Sequence, residues 1–103
     1  MQHEVFANPA PRTRGAFPFL TVLQADLAET GANRIVAPMA PRAAMPGAAG
    51  RLLPVVRHDG RDFLLAVELM TAVPRTALRH PLGSVAAHRD AITAALDWLF
   101  TGV

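Results

Sequence analysis

Hydrophobic and polar residues alternate from the start of the chain, with His3, Val5 and Ala7 set against Glu4 and Phe6, so residues 2–7 predict a strand. Asn8-Pro9 stops it, and residues 9–15, with two prolines, a glycine, Arg12 and Arg14, predict an exposed loop. A second strand is predicted over 17–25, and Pro18 places its start at a sheet edge because proline has no N–H for a central ladder. The turn signal Thr30-Gly31-Ala32-Asn33 precedes a short third strand over 34–39, ended by Pro38 and Pro41. Residues 41–50 hold alanine, proline and glycine in a mixture that predicts a loop or a weak helical turn. The apolar runs 52–58 and 62–67 flank Asp59-Gly60, the strongest hairpin signal in the chain. Residues 69–74 predict another short strand and 75–81 a connection.

Gly83-Ser84 then opens a helix predicted over 85–100, with Ser84 as its N-cap. Helical spacing lines up Val85, Arg89 or His88, Ile92, Leu96, Leu99 and Val103 as the stripe that docks on the sheet. Asp90, Ala94, Asp97, Trp98 and Thr101 fall on or near the other flank, which makes Trp98 and the last residues candidates for exposure. The pattern is that of several antiparallel strands followed by one C-terminal helix.

Composition sharpens this picture in two ways. The chain of 103 residues is 51% hydrophobic and fits one domain over 1–103, yet 20 of the apolar residues are alanines, so the core is modest. A domain of this size buries only about two-thirds of its unfolded surface, and pairing with a second copy is the natural way to bury more. The sequence pI of 11.0 accompanies a net charge of only +2, because arginine is used without lysine, tyrosine or cysteine and little titrates below the guanidiniums. Such a small surplus does not supply the roughly six to ten phosphate contacts of strong DNA binding. The ten arginines are also spread along the chain with no basic run, so no direct nucleic-acid contact is expected. Without cysteine there is no disulfide framework or thiol nucleophile. No apolar run approaches the about 18 residues of a membrane span. A cytoplasmic protein that starts folding at Met1 is the plain expectation.

Catalysis finds no anchor in the residues. Ser84, His88 and Asp90 invite a triad reading, but capping explains Ser84 and no nucleophile elbow surrounds it. His3, His58, His80 and His88 share no metal-ligand spacing. Asp59 belongs to the hairpin turn, Asp62 opens the next strand, and these two with Glu68 read as solvated charges. Gly47 and Gly50 lack the lysine and following helix of a phosphate-binding loop. The expectation is a protein that is not an enzyme and carries no cofactor and no metal.

The order of residues adds more. Met1-Gln2 with Val5-Phe6, Gln24 and Asp26, Pro38-Met39, Leu53-Pro54-Val55-Val56, Val73-Pro74, and the end Ile92, Ala95-Leu96, Phe100 and Gly102-Val103 together resemble CcdB, the toxin family of a bacterial toxin–antitoxin pair. The resemblance runs over nearly the full chain. It implies an α+β, mainly β fold of the SH3-like barrel type: a twisted antiparallel sheet with a small side sheet, one C-terminal helix, and a two-fold homodimer. It also implies a protein that binds the A subunit of DNA gyrase, traps the enzyme on cleaved DNA, and is neutralised by a CcdA-like antitoxin whose disordered segment folds onto it. Such a mechanism is preferential binding to one state of a partner.

The family's gyrase contacts, an Asn and a Trp-Gly-Ile terminus plus two apolar residues after the second strand, fall here on Asp97, Thr101, Gly102, Val103, Leu27 and Ala28. Gly102 matches and Val103 is conservative, but Asp97 puts a charge where the family has an amide, and Thr101 replaces the tryptophan. Truncating a buried interface tryptophan costs about 2 kcal/mol or more, about thirtyfold in affinity. Three readings follow. Trp98, one turn earlier, supplies the aromatic anchor instead; or the gyrase surface differs and Asp97 meets a basic group; or gyrase poisoning is weak or absent and the fold binds another target. Trp98 has a second possible role in packing against the dimer mate or the sheet. The loop 9–15 corresponds to a region where the family meets its antitoxin, so Arg12 and Arg14 are either antitoxin-binding residues or solvated loop charges.

Overall fold

The computed structural model describes residues 1–26 and 31–102. Seven strands form one antiparallel sheet: β1 (Glu4–Ala7), β2 (Phe19–Val22), β3 (Asn33–Pro41), β4 (Val55–His58), β5 (Arg61–Leu65), β6 (Thr71–Pro74) and β7 (Gly83–Ser84). They run in the order β4-β5-β3-β2-β1-β7, and α1 (Arg89–Thr101) follows them. The long β3 is the hinge of the architecture. Its first four residues pair with β6, from Asn33 opposite Pro74 to Val36 opposite Thr71, and its last three pair with β5, from Met39 opposite Leu65 to Pro41 opposite Phe63. The sheet thereby curls into a nearly closed barrel of the SH3-like type with one C-terminal helix, the α+β, mainly β class expected.

Alternation along the strands sorts the core into two layers. Val5, Ala37, Met39, Val56, Phe63 and Leu65 point to the side where Val85, Ile92 and Ala95 close the core. Phe6, Leu20, Val22 and Val36 point to the other side, against Leu78. Inside the first layer Thr21 is fully buried and its hydroxyl donates to the Met39 sulfur at 3.0 Å, which satisfies a polar group in an apolar setting.

The Asp59-Gly60 hairpin forms as its sequence dictates. Both residues hold positive φ, 52° and 74°, the geometry of a type I′ turn whose twist matches the flanking strands.

Proline positions correct the expected boundaries. Pro18 lies just before β2, which is an interior strand between β1 and β3, so the edge placement expected for it does not hold. Pro38 does not end β3, which continues to Pro41. The reason is tertiary. The Pro38 carbonyl accepts from the Ala66 N–H at 2.9 Å, so its own N faces the side where β3 changes partner from β6 to β5 and no donor is required.

Helix α1 also starts later than expected. Ser84 is not its N-cap: it pairs with Glu4 in β7, and its hydroxyl accepts from the Ala86 N–H at 3.1 Å. The Val85 N–H donates to the His3 carbonyl at 2.9 Å, which holds the chain to β1 through a short 3-10 turn, Ala86–His88, before α1 begins at Arg89. Val85, Ile92 and Leu96 of the expected stripe do reach the core. Arg89 is exposed and His88 half-buried.

Candidate functional site

The end of α1 gathers four of the residues singled out in sequence. Asp97, Trp98, Thr101 and Gly102 are all exposed there, next to Phe100, which is 71% exposed. Gly102 takes a left-handed conformation, φ 73°, and its N–H donates to the Trp98 carbonyl at 3.0 Å, the usual way a helix is closed by glycine. The Thr101 hydroxyl is turned back on the helix and donates to the Asp97 carbonyl at 2.6 Å. Thr101 therefore offers outward mainly its methyl group. Leu27, Ala28 and Val103 lie outside the described residues.

Trp98 is 36% exposed, and the Arg51 guanidinium lies 4.1 Å from its ring centroid. Arg51, Ala94, Ala95 and Trp98 line a groove of about 290 Å³. The two alanines keep the groove open, since larger side chains there would fill it. Arg51 was not singled out by sequence reasoning. Forty-seven positions separate it from Trp98, and only the course of the chain between β3 and β4 brings them together.

The loop with Arg12 and Arg14 is tightly built. The Asn8 side chain donates to the Thr13 hydroxyl at 3.0 Å and to the Phe17 carbonyl at 2.8 Å, and its carbonyl oxygen accepts from the Ala10 N–H at 3.0 Å. Arg14 and Phe17 N–H groups close helical turns onto Ala10 and Thr13. Both arginines are exposed on this frame. Beside them Pro9, Phe17, Leu20, Pro38, Leu69 and Val73 border an apolar groove of about 250 Å³ on the face of the sheet away from α1. The helix end and the arginine loop are thus separate surfaces.

The remaining candidates do not converge. His88 Nε2 accepts from the Arg57 N–H at 3.1 Å, Ser84 serves the Ala86 N–H, and Asp90 is exposed in the first turn of α1. His58 is buried edge-on to Phe19, with ring centroids 4.9 Å apart. Among the described residues no three His, Asp or Glu side chains group as metal ligands. No helix among them is long and apolar enough to cross a membrane. Asp62 is not simply solvated: its two oxygens meet Arg57 at 3.1 Å and Arg42 at 3.4 Å.

The arginines correct a further expectation. Dispersed in sequence, Arg42, Arg57 and Arg61 line one basin once the β4–β5 hairpin folds beside residues 41–47. Arg34, another of the dispersed ten, is buried and donates to the Gly31 and Asn33 carbonyls at 2.6 and 2.8 Å, which fixes the entry to β3.

Fold and surfaces together define a small SH3-like barrel with one C-terminal helix. The chain belongs to the CcdB family: the family described as CcdB protein matches residues 2–102, which makes this a CcdB-like toxin–antitoxin component. None of the curated proteins compared with it matches.

Proposed function

We propose that the chain is a homodimeric, cytoplasmic toxin that binds the A subunit of DNA gyrase through the end of α1, stabilises the cleaved gyrase–DNA complex, and is neutralised by a CcdA-like antitoxin. The observation that carries the reading is the family match over 2–102 combined with an exposed aromatic, Trp98, at the helix end where the family's contacts fall. Trp98 takes over the role of the tryptophan that Thr101 replaces. Asp97, Thr101, Gly102 and Val103 surround it, with Leu27 and Ala28 as the apolar contribution from after β2. Arg12 and Arg14 meet acidic residues of the antitoxin, and the apolar groove beside them fits the antitoxin's hydrophobic side chains. The chain is then a binding protein and not an enzyme, and 1–103 acts as one domain.

Expression in a bacterium whose gyrase is the native target should arrest growth, and a supercoiling and cleavage assay should show trapped gyrase–DNA complex. Trp98→Ala should remove both effects while leaving the fold intact by circular dichroism. Growth arrest unchanged by Trp98→Ala excludes Trp98 as the anchor, and absence of any trapped complex removes the gyrase assignment.

A second reading has a specific observation behind it. The Thr101 hydroxyl donates its proton within the helix, so the position lacks both the aromatic area and an outward donor. Under this reading the chain is a dimeric binding module that retains antitoxin binding and lacks gyrase poisoning. Tight binding to the antitoxin with no measurable gyrase binding selects it.

A further inference from the structure

Arg42, Arg57 and Arg61 surround an open basin of about 630 Å³, walled on its other sides by Pro41, Ala43, Pro46 and Gly47. Asp62 sits at its edge and holds two of the guanidiniums, Arg57 Nη1 at 3.1 Å and Arg42 Nη1 at 3.4 Å, one on each carboxylate oxygen. Arg57 Nη2 also donates to the Gly60 carbonyl at 2.9 Å, so this guanidinium is fixed in orientation by two contacts. Arg61 packs its guanidinium over Phe63, 5.5 Å from the ring centroid. Among the described residues this guanidinium has no hydrogen-bond or ion-pair partner.

The charge balance of the basin is the argument. Three guanidiniums face one carboxylate, which leaves two positive charges uncompensated in a concave surface where their fields add. Elsewhere on the chain an isolated exposed arginine is solvated at little cost. Here three are held together by a hairpin turn and a proline-bordered loop, and two are tethered to the shared Asp62. Asp62 already occupies the place of a monocarboxylate, and the surplus that remains matches the charge of about −2 carried by a phosphate monoester near neutral pH, whose three oxygens suit arginine forks. We propose that this basin is a phosphate-binding site, with Arg61 and Arg57 as its principal donors and Arg42 completing it. The phosphate comes either from a free phosphorylated small molecule or from two neighbouring groups of a nucleic-acid backbone.

The test is titration of the full chain with inorganic phosphate, tripolyphosphate and a short DNA duplex, followed by backbone amide chemical shifts. Saturable binding of tripolyphosphate at millimolar concentration or below, with shifts centred on residues 42–47 and 57–62, is expected, and Arg61→Gln should weaken it by about tenfold, the loss of one strong contact. Arg61 is exposed and its replacement leaves the hairpin turn untouched, and an unchanged amide spectrum outside the basin verifies the fold. Neutralising two backbone phosphates predicts about a twelvefold loss of duplex affinity between about 50 and 200 mM salt, falling to about threefold in Arg61→Gln. Duplex binding with that salt dependence identifies the backbone as the source, and tripolyphosphate binding without duplex binding identifies a free ligand. No saturation by any of the three probes overturns the site. So does an affinity unaffected by Arg61→Gln, or shifts that fall elsewhere.

Discussion

Arg51 lies over Trp98, its guanidinium carbon 4.1 Å from the ring centroid, and this contact joins the segment before β4 to the last turn of α1. The guanidinium covers one face of an aromatic that keeps 36% of its surface exposed. A partner that uses Trp98 as an anchor either inserts beside Arg51 or displaces it, and a carboxylate on that partner would gain the guanidinium as well.

Removing the shield should be directly visible, because Trp98 is the single tryptophan of the chain. Arg51→Ala is expected to raise the acrylamide quenching constant of the tryptophan fluorescence and to cost about 0.5–1 kcal/mol in urea unfolding, the value of an exposed cation–π pair. Unchanged quenching would show that Arg51 does not cover the ring in solution.

The β4–β5 turn gives a backbone prediction. Asp59 holds φ 52°, a region that Asp and Asn tolerate and alanine does not. Asp59→Ala should lose about 1 kcal/mol, and Asp59→Asn should lose little. Urea midpoints for the two variants provide the comparison, and equal losses would assign the effect to the Asp59 charge instead of to φ.

Where physics is local, the sequence was readable. Asp59-Gly60 needs only its own two residues to define a turn, and the stripe with Ile92 and Leu96 needs only helical spacing. Pro38 continues a strand that its own chemistry would end, because β3 changes strand partner there, a change set by residues 63–74 far along the chain. The N-cap expected at Ser84 failed for a similar reason, since the bond from Val85 to His3 ties that segment to β1. At the helix end, Trp98 as an exposed aromatic was legible, but Arg51 above it and the inward turn of the Thr101 hydroxyl depend on packing and rotamer. The basin of Arg42, Arg57 and Arg61 was hidden altogether, because clustering in space does not require clustering in sequence.

Ile92 tests how far α1 is welded to the sheet. It is 1% exposed and lies in the layer with Val5, Met39 and Phe63. Ile92→Ala should cost about 2–5 kcal/mol, a large part of the stability of a domain this small. If thermal unfolding of this variant falls by much less, the helix is held chiefly by contacts outside this layer, and the presentation of Trp98 would not depend on the core.

The last prediction concerns pH. Burial lowers the His3 imidazole below its usual 6.5, with the Arg89 charge adding to the effect and Asp26 opposing it. A base with a lowered folded value binds its proton more readily in the unfolded chain, so between the folded value and 6.5 the unfolded state holds more protons and stability rises with pH. The contribution of His3 is therefore neutral above 6.5 and becomes a growing penalty as pH falls through 6.5, complete once pH is below the folded value. Asp26, which accepts from the Met1 ammonium and the Gln2 N–H at 2.9 Å each, has a carboxyl held below the usual 3.8 by those hydrogen bonds. Its stabilisation is present above 3.8 and disappears as pH falls through its lower folded value. The two losses have the same sign, so urea midpoints followed downward from neutral pH should decline in an upper stage that begins as pH falls through 6.5 and a lower stage that begins as it falls through 3.8. His3→Asn keeps a residue suited to the positive φ of 65° at this position and should abolish the upper stage alone. Asp26→Asn should abolish the lower stage and, by removing the charge that opposes the His3 shift, deepen the upper one, and an upper stage that survives His3→Asn would assign it to a different histidine.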